Sequence, residues 1–345
     1  PSAKAATGKR PVQYGMVIDT RRCTGCHACS VACKSDGGVS FTPSAGLLKD
    51  LDALPVPARR SSPYRRYHSV LAKRNPITVM ITSRGCPFDC VFCNRMGRKY
   101  RCHSAEYVLA EFDDIVELGI AEVFIHDDTF TLRRDRVEEI CRGLIERRGD
   151  LIWEARTRVD CVDRELLALM RRAGCTRLSF GVESGSPRVL KAMRKGIDLD
   201  RVKQVFRWTR QEGITSLADF MIGSLDERRE DVEMSLALAG EINPDYVQYS
   251  ICSPYPGTPL YEIGRENGLI AEDVWEAFAG DPLRKFRSPV WTQHFTEDEL
   301  IQLAAMAYRR FYMRPSYMLR QATKIRSFRQ LKGMVGAALG MLRRG

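Results

Sequence analysis

Apolar residues recur between positions 77 and 251 in short runs that alternate with longer amphipathic segments. The runs are rich in β-branched and aromatic residues, which predicts strands at 77–82, 121–126, 151–156, 176–183, 214–222 and 245–251. Between the runs, apolar positions return every three to four residues. This spacing predicts helices over 104–119, 133–148 and 163–174, helical segments between 186 and 213, and a helix near 226–240.

Six successive strand–helix units predict an α/β fold with a parallel sheet and right-handed crossovers. The strands are apolar at successive positions, which is typical of strands that are buried on both faces. A complete TIM barrel needs eight such units. We therefore predict a partial (β/α)6 TIM-like barrel, with an open doubly wound sheet as the alternative.

Composition divides the chain into four regions. Residues 1–40 form a cysteine-rich segment, and residues 41–75 are predicted to be a linker because they are rich in Gly, Ser, Pro and Ala. Residues 76–265 hold the predicted barrel. Residues 266–345 are predicted to be a helical, basic C-terminal region.

The 345-residue chain has a net charge of +11 and 44% hydrophobic residues, which suits a globular protein with a sizeable core. No stretch reaches the roughly 18 apolar residues that cross a bilayer. The first residues, PSAKAATGKR, lack the apolar core of a signal peptide. We therefore expect a cytoplasmic protein whose twelve cysteines stay reduced and serve metal binding or packing rather than disulfides. The scattered cysteines are interpreted as packing residues: Cys102, Cys141, Cys161, Cys175 and Cys252.

Three cysteines stand in TSRGCPFDCVFCNR, directly after the first predicted strand. Cys86, Cys90 and Cys93 follow the spacing C-x3-C-x2-C. Structural zinc and ordinary iron–sulfur clusters take four protein ligands. Three thiolates can hold three irons of a cubane and leave the fourth iron to a small molecule. Because active groups of parallel α/β folds gather at the carboxyl ends of strands, the motif predicts a cluster with one open coordination position at that end.

This loop, at the start of an α/β alternation, resembles that of the radical S-adenosylmethionine (SAM) enzymes. The resemblance implies a 4Fe–4S cluster on Cys86, Cys90 and Cys93, with the unique iron chelated by the amino and carboxylate groups of SAM. It implies that one electron breaks the sulfonium carbon–sulfur bond and that a 5′-deoxyadenosyl radical abstracts a substrate hydrogen. Phe92 matches the family's usual aromatic residue, and its implied role is to hold the adenine.

From about residue 51 to residue 342 the chain resembles the subgroup that usually carries an N-terminal cobalamin domain, such as anaerobic tetrapyrrole cyclases and many radical methylases. The segment FIHDDTF implies that Asp127 and Asp128 lie near the methionine amino group. The segment RTRVDCVDRELLALMRRAGC implies that Arg158 is the partner of the methionine carboxylate. The segment LSFGVESGS implies that Glu183 and Ser184 lie near the ribose.

Two features depart from this subgroup. The usual Gly-Leu-Pro-Gly-Glu run is here GSLDE at 223–227, which changes the turn around Gly223, a residue that the resemblance assigns to cofactor binding. We also expect the cobalamin domain to be missing: no D-x-H-x-x-G motif occurs, and the roughly 50 residues before DLDALPVPARR are too few for a Rossmann-like domain. Cobalamin is therefore doubtful, unless another protein supplies it.

The segment RRCTGCHACSVACKSD holds a second cysteine cluster. Cys23, Cys26, Cys29 and Cys33 follow C-x2-C-x2-C-x3-C, the bacterial ferredoxin run. Residues 20–36 resemble the iron–sulfur subunits of molybdopterin oxidoreductases, which pair this run with a second one. No second run is present, so either Cys33 closes a lone accessory cluster or the segment is a fragment; zinc or no metal is a further alternative. We hypothesise that an accessory cluster relays electrons to the first.

The C-terminal region is strongly basic. Residues 300–345 contain ten Lys or Arg residues and no Asp or Glu, interleaved with aromatic and aliphatic residues. This pattern predicts either helices that pack on the barrel with a solvated basic face or attachment to an anionic membrane surface. Nucleic acid is a less favoured partner, because the extra domains of tRNA-modifying relatives are not found.

Together these observations predict an oxygen-sensitive radical SAM enzyme that takes electrons from a flavodoxin- or ferredoxin-type reductant. Its substrate is expected to be apolar or amphipathic, such as a tetrapyrrole, an isoprenoid lipid or a natural-product intermediate. Methylation, cyclisation and rearrangement stay open, and no catalytic residue is predicted beyond the cluster ligands. The alternative is a non-catalytic iron–sulfur electron-transfer protein.

Overall fold

A computed structural model describes residues 47–69, 72–94, 98–147, 149–270, 274, 275, 278 and 287–322. The cysteines of the first region, Cys23, Cys26, Cys29 and Cys33, lie outside the described residues, as does the C-terminal region from residue 323 onward. The predictions for these two segments therefore stay predictions.

The strands in chain order are β1 (Ile77–Met80), β2 (Ser83–Arg84), β3 (Arg101–Cys102), β4 (Glu122–Ile125), β5 (Ile152–Thr157), β6 (Cys175–Glu183), β7 (Thr215–Ile222) and β8 (Tyr246–Ile251). Six of them form a parallel sheet in the order β1-β4-β5-β6-β7-β8, while β2 and β3 form a small antiparallel pair. Each strand of the large sheet lies beside the next one along the chain. A doubly wound sheet would reverse its strand order at a switch point, so the sequential order confirms the partial TIM-like barrel.

Helices follow the strands and cover the outer face of the sheet. They are α1 (Ala105–Glu117), α2 (Arg134–Arg147), α3 (Arg164–Arg172), α4 (Pro187–Ala192), α5 (Leu199–Gln211), α6 (Arg229–Ile242), α7 (Pro259–Glu266), α8 (Glu297–Tyr312) and α9 (Pro315–Ala322). Side chains cap two of these helices: Ser104 accepts a hydrogen bond from the backbone N–H of Tyr107, and Asp163 accepts one from the backbone N–H of Leu166. No helix among the described residues combines the length and apolar character that crossing a bilayer demands.

The two faces of the sheet differ in chemistry. On β5, Trp153 and Ala155 point into the main hydrophobic core, whereas Glu154 and Arg156 line a cavity of about 1050 Å³ on the concave face. The expectation that both faces are buried holds for most of β6. The concave face nevertheless carries charged side chains, so burial there does not mean an apolar environment.

Residues 51–66, in the region predicted as linker, pack along the β1 edge of the sheet. Leu51 is buried, and the guanidinium of Arg59 donates hydrogen bonds to the Thr78 hydroxyl (3.3 Å) and the Val79 carbonyl (3.1 Å). Arg59 also forms a buried ion pair with Glu111 on α1. The segment therefore forms one wall of the concave cavity.

Tyrosine hydroxyls form hydrogen bonds with backbone groups of β8, the strand at the opposite edge of the sheet. Tyr308 accepts from the N–H of Tyr249 (3.0 Å) and donates to its carbonyl (3.1 Å). Tyr312 does the same with Val247 at 3.0 and 2.8 Å. Four residues of helix rise about 6 Å and two residues of strand about 7 Å, so tyrosines four apart on α8 match strand residues two apart. Tyr317 on α9 donates to the carbonyl of Asp245 (2.9 Å).

Candidate active site

The cysteine loop (residues 85–94) lies at the carboxyl end of the sheet, beyond β1. Gly85 begins it with a φ of +83°, a left-handed conformation that favours glycine. The N–H of Val91 donates to the carbonyl of Met193 (3.0 Å), and the N–H of Leu260 donates to the carbonyl of Val91 (3.0 Å). The loop is therefore held from two sides, by the end of α4 and the start of α7.

Cys86, Cys90 and Cys93 carry free thiols that interact electrostatically with one another. Burial raises the pKa of the Cys93 thiol to about 12, and neighbouring acidic groups add to the rise. Burial also raises the pKa of the Cys90 thiol, while the charges of Lys195 and Arg158 oppose the rise. Among the described residues, no three His, Cys, Asp or Glu side chains are arranged as a single-ion site. Three thiols on one loop beside two cations suit an anionic, thiolate-held iron–sulfur cluster.

Arg158 contacts the cysteine loop and the residues beside it. Its guanidinium forms a two-point ion pair with Asp160 (2.9 and 2.8 Å) and donates to the carbonyl of Lys195 (2.8 Å). It also donates to the sulfur of Cys90 (3.9 Å) and stacks on Phe88, with 3.6 Å from the guanidinium carbon to the ring centroid. The side chain is 5% exposed. The resemblance assigns Arg158 to the methionine carboxylate, but Asp160 already holds two of its donor nitrogens.

The two aspartates after β4 have different surroundings. The buried carboxylate of Asp127 accepts the N–H groups of Thr82 (2.6 Å) and Ser83 (3.0 Å) and both of their hydroxyls (2.6 Å each). Asp128 is exposed and close enough to Cys93 to raise the pKa of that thiol. Of the two, Asp128 is the one placed to meet a ligand beside the cysteine loop, whereas Asp127 fixes the segment that leads into it.

Glu183 ends β6 with a φ of +66°, a left-handed conformation that is uncommon for a residue other than glycine. The Nζ of Lys195 donates to its carboxylate at 2.8 Å, and both side chains are largely buried. A Cβ on Gly181 would lie 2.5 Å from the Glu183 Oε1 and 2.8 Å from the Lys195 Nζ, so only glycine leaves room for the pair. The adjacent Ser184 is fully buried and bonds to the Ser235 hydroxyl (3.2 Å) instead of facing the cavity.

The turn after β7 is built around Glu227. Its carboxylate accepts the N–H groups of Gly223 (2.5 Å) and Ser224 (3.1 Å). Burial raises the pKa of Glu227 to about 7, with a smaller contribution from Asp231, while the two N–H donors and Arg188 oppose the rise. GSLDE thus forms an ordered turn despite lacking the usual second glycine and proline.

Phe92 lies beside this turn. It packs against the buried cluster of Cys252, Leu260 and Trp291, together with Met221 and Leu225. The structure therefore brings together two features that the resemblance assigns to the adenine, the aromatic residue of the cysteine loop and the segment after β7.

The concave cavity lies below the cysteine loop. The side chain of Arg156 faces it, two residues before Arg158 on the same strand. Asp219 on β7 pairs with Gly181, which lies two residues beyond Ser179, the β6 partner of Arg156. Burial raises the pKa of Asp219 to about 6, Glu183 adds to the rise, and Arg156 opposes it.

Sequence reasoning missed several residues that surround the predicted ones. Three of them carry no motif: Asp160, Lys195 and Asp219. Glu227 alone had a signal, since it is the glutamate of the altered GSLDE run.

Comparison with known proteins gives consistent similarities. Residues 80–239 match the family described as the Radical SAM superfamily. The chain is 34% identical over 310 residues to an uncharacterized methyltransferase of Pyrococcus horikoshii, covering 88% of this chain and 66% of that protein. It is 27% identical over 317 residues to the anaerobic magnesium-protoporphyrin IX monomethyl ester cyclase of Rubrivivax gelatinosus, covering 90% and 55%. The chain thus spans between about half and two thirds of these relatives.

Among solved structures, the cobalamin-dependent S-adenosylmethionine radical enzyme OxsB, with aqua-cobalamin and S-adenosylmethionine bound, is similar in fold. The TM-score is 0.56 at 19% identity, covering 77% of this chain and 45% of that one. At this identity the likeness concerns the fold, and it agrees with the partial barrel described above.

Proposed function

Because this chain belongs to the radical SAM superfamily, we propose that it cleaves SAM reductively at a 4Fe–4S cluster held by Cys86, Cys90 and Cys93. The observation that carries the proposal is the set of three free thiols on one anchored loop above a large cavity. When bound, such a cluster supplies one electron to SAM, and the 5′-deoxyadenosyl radical that results abstracts hydrogen from a substrate.

The chain's own residues would position this chemistry. Arg158 and Lys195 place positive charge beside the thiol of Cys90, which favours its thiolate form. Asp128 is the candidate partner of the methionine amino group, and Phe92 and the turn at Gly223 are candidates for the adenine. Glu183 is the candidate for the ribose, since its carboxylate lies at the carboxyl end of β6 beside Lys195.

The names of the relatives support a reaction class. One is named as a methyltransferase and another as a cyclase of a tetrapyrrole ester. We therefore propose methyl transfer or ring closure on a small, apolar or amphipathic molecule in the concave cavity. A flavodoxin- or ferredoxin-type protein would supply the electron, and the proposal does not require cobalamin.

The test is anaerobic reconstitution with iron and sulfide, followed by SAM and dithionite, with 5′-deoxyadenosine as the readout. Cys93→Ala should lower product at least about a hundredfold, because the cluster loses a ligand. Cys141→Ala is the matched control, since Cys141 is buried in the core on α2, and it should keep activity.

The competing function is a non-catalytic electron carrier. It predicts bound iron whose electron paramagnetic resonance spectrum does not change when SAM is added, and no 5′-deoxyadenosine. That result in the wild-type protein would refute the enzyme. A changed spectrum with product would remove the carrier.

The front cysteines extend the proposal. If Cys23, Cys26, Cys29 and Cys33 hold an accessory cluster, the wild-type protein should bind about eight irons rather than about four. Replacing Cys23 and Cys26 with alanine should keep SAM cleavage with dithionite but weaken it with a protein reductant. Equal rates with both reductants would exclude the relay.

The proposal includes attachment to an anionic membrane surface through the basic C-terminal region. Co-sedimentation with anionic vesicles, with and without residues 315–345, tests it. Binding that does not depend on anionic lipid would exclude it.

A further inference from the structure

The walls of the concave cavity carry more basic than acidic side chains. Four arginines and two glutamates line it. Two arginines are neutralised in buried ion pairs, Arg59 with Glu111 and Arg177 with Glu154. Burial raises the pKa of Glu154 to about 6. The pair of Glu154 and Arg177 therefore adds no net negative charge to the cavity.

Arg84 and Arg156 are the remaining two. Within the described part of the chain, neither forms an ion pair with a carboxylate. The Nε of Arg84 is buried and has no hydrogen-bond partner there. The guanidinium of Arg156 is exposed to the cavity, 5.8 Å from the ring centroid of Phe124.

The groups around these two arginines do not neutralise them. Burial, with added repulsion from Arg84, lowers the pKa values of Arg101 and His103. Burial lowers the pKa of His126 and Arg156 adds to the effect. Asp219 is the acidic group that faces Arg156, and no hydrogen bond joins the two among the described contacts. A bound anion would relieve this surplus of positive charge.

The rest of the lining is largely apolar. The aromatic and aliphatic side chains that face the cavity include Leu54, Val56, Tyr67, Val79, Ile81, Phe124 and Leu217. Val79 is 53% exposed although it lies in the middle of β1, so it presents apolar surface to the cavity contents.

We propose that the cavity binds an amphipathic oxyanion, with the oxyanion on Arg156 and the apolar body against Val79, Phe124 and Leu217. As a statement about the substrate, this rests on the proposed function. Arg156 stands two residues before Arg158, which contacts Cys90, and two strand residues span about 7 Å. The molecule would therefore lie within reach of the cysteine loop. Arg84 adds positive potential at the wall of the cavity.

Two fluorescent probes with the same aromatic body test the idea. 8-Anilino-1-naphthalenesulfonate carries an oxyanion, and N-phenyl-1-naphthylamine lacks it. Wild-type protein should bind the sulfonate with one-to-one stoichiometry and more tightly than the amine. Arg156→Gln should weaken sulfonate binding about tenfold, the equivalent of about 1.4 kcal/mol, because one charge-assisted contact is lost. Binding of the amine should change less than about twofold, which also verifies that the variant is folded.

Arg207→Gln is the matched control, since Arg207 is an exposed arginine on α5 outside the cavity lining. Equal sulfonate affinity in the Arg156 and Arg207 variants would overturn the proposal. So would equal weakening of both probes, or a wild-type protein that does not prefer the sulfonate.

Competition identifies the kind of oxyanion. Dodecanoate and dodecyl phosphate should displace the sulfonate probe from wild type, and the stronger competitor indicates a carboxylate or a phosphate ligand. Dodecanol should not displace it, and equal displacement by dodecanol would refute an anion site.

The proposed function is tested separately by 5′-deoxyadenosine formation in the wild-type protein. SAM cleavage without probe discrimination would overturn only the oxyanion site. Probe discrimination without SAM cleavage would overturn the enzyme and leave an anion-binding cavity.

Discussion

Replacing Asp127 with alanine should destabilise the segment that leads into the cysteine loop. The carboxylate accepts two backbone N–H groups and two hydroxyls of Thr82 and Ser83, all at 2.6 to 3.0 Å, and is 2% exposed. The hydroxyls can rotate toward other acceptors, but the two buried N–H groups cannot. An unsatisfied buried donor costs about 1–3 kcal/mol, so the free energy of unfolding should fall by about 2–6 kcal/mol.

Asp127→Asn separates charge from hydrogen bonding. The amide oxygen can still accept the hydrogen bonds from both backbone N–H groups, and the amide NH₂ can donate to the two hydroxyl oxygens. Only the charge is lost, and neutral hydrogen bonds are about half as strong as charge-assisted ones, so a loss of about 1–2 kcal/mol is expected. The stability order should be wild type, then asparagine, then alanine.

Urea unfolding of the cofactor-free, reduced protein measures this order. Asp113→Ala is the control, because Asp113 forms an exposed ion pair with Arg147, worth at most about 1 kcal/mol. If Asp127→Ala unfolds at the same urea concentration as the control while SAM binding is lost, the hydrogen-bond argument fails. The assignment of Asp127 to the methionine amino group would then be the better one.

Three further changes test other parts of the structure. Tyr308→Phe and Tyr312→Phe should each lower stability by about 1–3 kcal/mol in thermal unfolding, because each leaves backbone groups of β8 unsatisfied; Tyr255→Phe, at an exposed position, should have no effect. Gly223→Ala should cost about 2 kcal/mol or more in urea unfolding, since φ is +74° and a Cβ would overlap a leucine side chain; unchanged stability would contradict the described turn. For Glu227, the folded pKa of about 7 exceeds the reference value of 4.5, so wild type should lose stability as pH rises through that window. Between about pH 5 and pH 8 the urea midpoint of wild type should therefore fall relative to that of Glu227→Gln, which cannot lose a proton at this position. A difference between the two midpoints that does not change with pH would refute the raised pKa.

Local pattern was sufficient to predict the six strands of the large sheet but not the short strands β2 and β3. Periodicity reports which side of a long segment is buried, and a two-residue strand is too short to show it. The predicted strand at 176–183 is observed as Cys175–Glu183, and the helix predicted over 104–119 is observed as Ala105–Glu117. The role of Asp127 could not be predicted in this way, because its partners Thr82 and Ser83 lie 45 and 44 residues earlier in the chain. A strand-end aspartate has the same sequence pattern whether it fixes a loop or faces a ligand.

The charges on the concave face could not be predicted from the sequence, for a related reason. In the run LIWEAR, the apolar residues predict a strand, and the glutamate and arginine could equally face solvent. Only the register across β5, β6 and β7 places Glu154 beside Arg177 and Arg156 beside Ser179. The cysteine spacing, in contrast, is local and specific, so the spacing by itself predicts the class of cofactor.

The tyrosine hydroxyls on α8 also restrict the addition of further strands to the sheet. An edge strand normally offers its free N–H and C=O groups to any extended chain that arrives, whether a neighbour in an aggregate or a strand of another domain. On β8, the outward groups of Val247 and Tyr249 are already occupied by side chains. A seventh strand could join at β8 only by displacing α8, so the sheet cannot be extended at this edge while the helix stays in place.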